Sequence, residues 1–287
     1  MQNYTFIKDY KNNDRYRHSF NTLAQGTFGL DFETWYQRGY WNENYICYSY
    51  LFEDEVVSNV SLNTMTLLIE GEMKTTIQIG TVMTHESHRR KGLALDLMHK
   101  IFEDYDQTCD FYFLAADEEA IALYKKCGFV ERAENKYEID LSEYKLSLET
   151  PLEVSKVDLS DLLRLKRSSR PLSHFIWGLD TDHVFMFYLT LGFDAYVHKM
   201  NDGYAIFEIE DDTLILYDVI TPFDISLEEV ICQITPQTIK RVVCMFTPHP
   251  QTKGLNTEQD LSSSWMIRSK NGDVFPKGAR FPSITQT

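Results

Sequence analysis

The stretch Thr81 to Ala94, TVMTHESHRRKGLA, constrains the fold of this chain more than any other. Ile77, Ile79, Val82 and Met83 read as an apolar strand that runs into a polar turn and then into Arg89-Arg90-Lys91-Gly92. From there Leu93, Leu97, Met98, Ile101 and Phe102 recur at helical steps, with Asp96, Lys100, Glu103 and Asp104 on the opposite face. A strand feeding a helix through a basic, glycine-containing loop is a device for holding phosphate. The first helical amides lack intrahelical partners, the helix dipole adds positive charge, and glycine admits close approach. On these residues alone, a solvated basic run is an equally good reading. The spacing R-x-x-G-x-A is neither the P-loop pattern nor the three-glycine dinucleotide fingerprint, which argues against a nucleoside triphosphate or NAD.

The rest of the composition narrows the class. With 287 residues, 43% hydrophobic, the chain can build one large core or two moderate ones. No apolar run is long enough to span a bilayer, and the start lacks a signal-peptide core, so a soluble cytoplasmic protein with no membrane partner is expected. A formal charge of −15 argues against nucleic acid and favours a cationic small molecule or basic peptide. Cys47, Cys109, Cys127, Cys232 and Cys244 form no CxxC pair and no zinc pattern. They read as reduced, half-buried core residues, and no metal is expected.

Along the chain, 14–25 and 30–38 read as helices, the first ended by Gly26. Residues 45–52, 56–68 and 75–84 read as an antiparallel meander. The apolar run 110–116 follows the 93–105 helix and is expected to lie parallel to the strand at 77–84. Residues 118–127 form a further helix closed by Gly128, and 129–141 read as one strand that completes the unit.

The 82–94 stretch together with DEEAIALYKKCGF at 117–129 resembles the GNAT superfamily of N-acetyltransferases. Arg89, Gly92 and Ala94 match that family's [Q/R]-x-x-G-x-[G/A] loop. Ala120, Leu123, Tyr124, Gly128 and Phe129 match its N-x-x-A-x-x-[L/F]-Y-x-x-x-G-F segment, with Asp117 where the family has Asn. The resemblance covers roughly 10–141. It implies an α/β (α+β) fold with a mixed, mostly antiparallel sheet.

Pro151 and the polar run 142–150 mark a linker, giving a catalytic GNAT domain over 1–145 and a second domain over 146–287. The second half repeats the order helix, helix, meander, helix, strand (159–167, 183–191, 194–220, 227–234, 241–246). Thr221-Pro222-Phe223-Asp224 stands where the basic loop would be. It reads as a degenerate GNAT-like copy unable to bind the cofactor. The arrangement resembles the enhanced-intracellular-survival type without its third domain.

The resemblance further implies acetyl-CoA as co-substrate. Its pyrophosphate would lie on the loop Arg89, Arg90, Lys91, Gly92, Leu93 and Ala94, its pantetheine arm against Val82, Met83 and Thr84, with Asp117 close by. A strand amide near Met83 would polarise the thioester carbonyl, a primary amine would attack directly, and Tyr124 would act as the general acid. No carboxylate precedes Met83 on the strand, which carries Gln78. His85, Glu86 and the C-terminal carboxylate of Thr287 are the remaining candidates for a base. The aromatic cluster Trp35, Tyr36, Tyr40 and Trp41 reads mainly as core or lid. The expected function is transfer of an acetyl group to a small-molecule or peptide amine. The alternatives are a non-catalytic acyl-CoA sensor and a binding protein with an incidental basic loop. Assembly into a homo-oligomer stays open at this point.

Overall fold

The computed structural model describes residues 3–172, 175–270, 272 and 274–285. The first half runs β1 (Thr5–Lys8), α1 (Asp14–Phe28), α2 (Glu33–Gln37), β2 (Tyr45–Phe52), β3 (Glu55–Ile69), β4 (Glu72–Thr84), α3 (Leu93–Tyr105), β5 (Phe111–Ala115) and α4 (Ile121–Lys126). It continues with β6 (Val130–Glu131) and β7 (Glu134–Asp140). The second half runs α5 (Leu159–Arg167), β8 (Ile176–Gly178), α6 (Asp182–Thr190), β9 (Val197–Met200), β10 (Gly203–Glu210), β11 (Thr213–Ile220), α7 (Leu227–Ile234), β12 (Arg241–Cys244), β13 (Leu255–Asp260) and β14 (Trp265–Ser269).

Two mixed sheets result. The first has the order β1-β2-β3-β4-β5-β14-β6, with β8 on the far end of β3; the second has the order β13-β7-β12-β11-β10-β9. As expected, β4 and β5 are parallel, because the connection between them is a helix. The apolar stripe of α3 packs on one face of the first sheet against Tyr48, Val60, Leu62, Ile77 and Tyr112. Tyr50 and Tyr48 donate hydrogen bonds to Asp96 and Asp104 on the helix, both at 2.5 Å, and so fix its seat on β2. The other face lies under α1 and α2, with Phe20, Phe32, Trp35 and Trp41. Helix α1 runs past Gly26 to Phe28 and ends on Gly29, whose φ of 71° is left-handed.

One expected strand divides, and this reorganises both sheets. Residues 129–141 do not close the first unit: β6 stays in the first sheet, whereas β7 pairs with β12 and β13 in the second. In return β14 inserts between β5 and β6, with Trp265 to Ser269 antiparallel to Ala115 to Phe111. A division at residue 145 therefore does not follow the sheets, since each half lends the other its last central strand. Arg268 reinforces the exchange: its guanidinium lies 3.9 Å from the Phe102 ring centroid. It also donates to both oxygens of Asp106, at 2.6 and 3.0 Å, just beyond α3.

The second sheet repeats the plan of the first. Strands β9 to β11 form an antiparallel meander, α7 follows, and β12 is parallel to β11. No described helix is long and apolar enough to cross a membrane.

Candidate active site

The site forms where β4 and β5 separate. Their ladder pairs only Thr76, Ile77 and Gln78 with Phe111, Tyr112 and Phe113. Beyond it β4 carries a bulge: Ser61 faces Gly80 and Asn59 faces Met83, so Thr81 and Val82 together oppose Val60. Thr81 has φ of +47°, an unusual conformation for a β-branched residue, and buried neighbours hold it there. Asn59 Nδ2 donates to the Thr81 carbonyl at 2.8 Å, and Tyr45 Oη lies 2.8 Å from Thr81 Oγ1. The bulge is thus a supported feature that turns the end of β4 away from β5.

A cavity of ≈ 250 Å³ fills the opening. Ile79, Gly80, Thr81 and Val82 line one side, Ala115, Asp117 and Tyr124 another, and Phe28, Leu30, Phe32 and Phe187 the rest. Tyr124 is 5% exposed, and its hydroxyl has no protein partner among the described residues. Burial, with the Asp117 charge nearby, pushes that hydroxyl well above its ordinary range, so it holds its proton at neutral pH and can donate it.

Just past β4, the loop 89–92 opens α3. Arg89 is tied down by a 3.0 Å hydrogen bond from Nε to the Thr84 carbonyl. Arg90 and Gly92 have φ of +62° and +79°. No side chain caps α3, and the amides from Arg90 to Ala94 have no acceptor among the described residues. A short turn with left-handed residues at a free helix start presents its amides to an anion. An added Cβ on Gly92 would meet nothing within 4 Å, so the approach is open. The residues present fit a pyrophosphate on this loop and an extended arm along Val82, Met83 and Thr84.

Other expected residues fall elsewhere. His85, Glu86 and His88 line an adjoining cleft of ≈ 800 Å³ with Glu53 and Glu55; it shares Thr84 and Arg89 with the end of β4 and the basic loop, and its lining includes neither Tyr124 nor the bulge. His88 is engaged by Tyr4 Oη at 2.9 Å. Trp35 and Trp41 are buried core, Tyr36 stacks under Arg17 at 3.8 Å, and Cys127 is core, its thiol pushed up to about 11 by burial. The Thr287 carboxylate lies outside the described residues. Among the described residues, no group of three His, Cys, Asp or Glu could hold a metal ion.

The sequence did not reveal the bulge, nor Phe187, which reaches the cavity from the second half. Phe28, Leu30 and Phe32 alternate in sequence as one apolar edge would, a signal masked by reading 30–38 as a helix.

Residues 10–131 match the family described as an acetyltransferase (GNAT) domain. That stretch holds β4, the loop at 89–92, α3 and α4. Solved structures extend the likeness across both halves. A probable N-acyltransferase from Enterococcus faecalis V583 superposes with a TM-score of 0.64 at 13% identity, over 93% of this chain and 72% of that one. Eis1 from Mycobacterium abscessus gives 0.59 at 14% identity, over 93% and 73%. A GCN5-related N-acetyltransferase from Kribbella flavida gives 0.58 at 15% identity, over 93% and 72%. At such identities the likeness is one of fold. No curated protein matches the chain. GNAT enzymes use acetyl-CoA, so the free amides and the gap lie in the part of the chain that matches an acetyl-CoA-using family.

Proposed function

We propose that the chain transfers an acetyl group from acetyl-CoA to a primary amine by direct attack within a ternary complex. The observation that carries this reading is a coincidence of three features: the opening beyond Gln78 and Phe113, the uncapped start of α3 beside it, and the protonated Tyr124 on the cavity wall. Acetyl-CoA supplies the acetyl thioester. The amides from Arg90 to Ala94, with the basic side chains of Arg89, Arg90 and Lys91 around them, bind the pyrophosphate. The backbone of Val82, Met83 and Thr84 pairs with the pantetheine arm as an added strand would, and Asp117 borders the arm.

An amide of the bulged strand near Met83 donates to the carbonyl oxygen as negative charge builds there. The amine nitrogen bonds to the carbonyl carbon, the carbon–sulfur bond breaks, the nitrogen loses a proton to water, and Tyr124 protonates the departing sulfur and regains its proton from solvent. The products are an acetamide and free coenzyme A. The chain's main contribution is to align the two reactants. Thiol release from acetyl-CoA, followed across a panel of amines, tests the reading; coenzyme A binding without release from any amine would favour an acyl-CoA sensor instead.

A further inference from the structure

The walls of the ≈ 250 Å³ cavity differ in character. Among the described residues that line it, the ionisable groups are Asp117 and Tyr124, both on the α4 side; the opposite side is Phe28, Leu30, Phe32 and Phe187. Three of the aromatic groups around that side are fixed. The ring of Phe187 lies 5.1 Å from Phe32 and 5.5 Å from Trp35, and Trp35 Nε1 donates to the His183 carbonyl at 2.9 Å, which ties α6 to α2. Phe187 is 6% exposed, whereas Phe28, at the mouth, is 40% exposed.

We infer that the acceptor is a monoamine borne on an aromatic or branched apolar group, and that Phe187, supplied by the second half, sets this preference. The inference rests on the acetyltransferase reading. An ammonium entering such a throat loses water, and desolvation disfavours its charged form. The apolar walls thereby release the neutral nucleophile without a dedicated base on their side. A polyamine would bring further charges for which these walls hold no partner beyond Asp117. Size points the same way: the cavity is roughly eight water volumes at about 30 Å³ each and also receives the end of the pantetheine arm along Val82, so it admits a small ring or branched chain rather than an extended polycation. The acidic side chains Glu53, Glu55 and Glu86 line the adjoining cleft, which shares Thr84 and Arg89 with the cofactor path but does not include Tyr124.

The test compares rates of thiol release from acetyl-CoA with phenethylamine, isoamylamine, ethylamine, spermidine and kanamycin. We expect kcat/KM for phenethylamine to exceed that for ethylamine about 10-fold or more. Phe187→Ala should shrink that ratio about 10-fold, Phe187→Leu less, and Phe28→Ala least. Phe187→Leu keeps the test alive should the alanine variant not fold. Without turnover, phenethylamine should raise the Tm of the coenzyme A complex more than ethylamine does. Spermidine or kanamycin as best substrate, or an unchanged ratio in Phe187→Leu, overturns this inference alone. Coenzyme A binding with no release from any amine overturns it together with the transferase reading.

Discussion

Two helices in this molecule follow a bulged strand, and they begin in opposite ways. Helix α3 starts on Gly92 with bare amides and three basic residues before it. Helix α7 starts on Ser226, whose Oγ accepts from Glu229 N at 3.2 Å, while the Glu229 carboxylate accepts from Ser226 N at 2.9 Å. That capping box fills the helix start with the protein's own negative charge. The bulge survives in the second sheet, since Ile206 faces Asp218 and Phe207 faces Leu216, leaving Tyr217 extra. Next to it, however, Lys166 and Asp218 form a buried ion pair at 2.5 Å. The β11 ladder to β12 runs over four pairs, from Thr213–Arg241 to Leu216–Cys244. One architecture can thus be a binding site or a scaffold, depending on what occupies the helix start.

The largest effect should come from Tyr124→Phe, which removes the proposed proton donor and leaves the loop amides in place. Steady-state kinetics should show turnover down about 10²–10⁴-fold, with coenzyme A affinity retained by calorimetry. Next, Gly92→Asp would give α3 an acidic start like that of α7. Aspartate tolerates a left-handed φ better than most residues, so the fold should hold while coenzyme A affinity falls on the order of 10-fold. An unchanged affinity would separate the anion from this helix start.

In the second half, Ser226→Ala should cost about 1 kcal/mol in denaturant unfolding and leave turnover unchanged. Altered turnover would couple the two helix starts. The smallest effect concerns Glu134, at the start of the exchanged strand β7. Its carboxyl is buried and accepts from Phe281 N at 2.7 Å, and burial raises its pKa to about 7. A carboxyl raised above its unfolded value favours the folded state below that pKa and loses the advantage as pH rises through it. Stability should fall by roughly 1 kcal/mol from pH 6.5 to 8. Glu134→Gln should flatten the slope. His183, lowered to about 4 by burial, is half protonated at pH 6.5 in the unfolded chain and offsets part of this fall, so the quantity to read is the difference between the native protein and Glu134→Gln, in which His183 cancels.

Much of this was legible beforehand because it is local. The helical period of Leu93 to Phe102, the turn glycine at 128 and the two family motifs depend on neighbours within a few residues. The partners of β7 and β14 are not local. An alternating strand such as Glu134 to Asp140 carries no mark of which sheet it will join, and its pairing with β12 spans about a hundred residues. The bulge was equally silent, since it depends on Asn59 and Tyr45 holding a threonine where threonine rarely sits. Phe187 reads as one more apolar residue of α6 until the two halves meet.

The strand exchange has a consequence for how the protein is made. While a ribosome is still adding residues, β5 has emerged, but its neighbour β14 is about 150 residues behind it. At about 5–20 residues per second, the half that holds the proposed site waits on the order of 10–30 s with a bare hydrophobic edge. A nascent chain of this kind is a natural client for chaperones that shield strand edges.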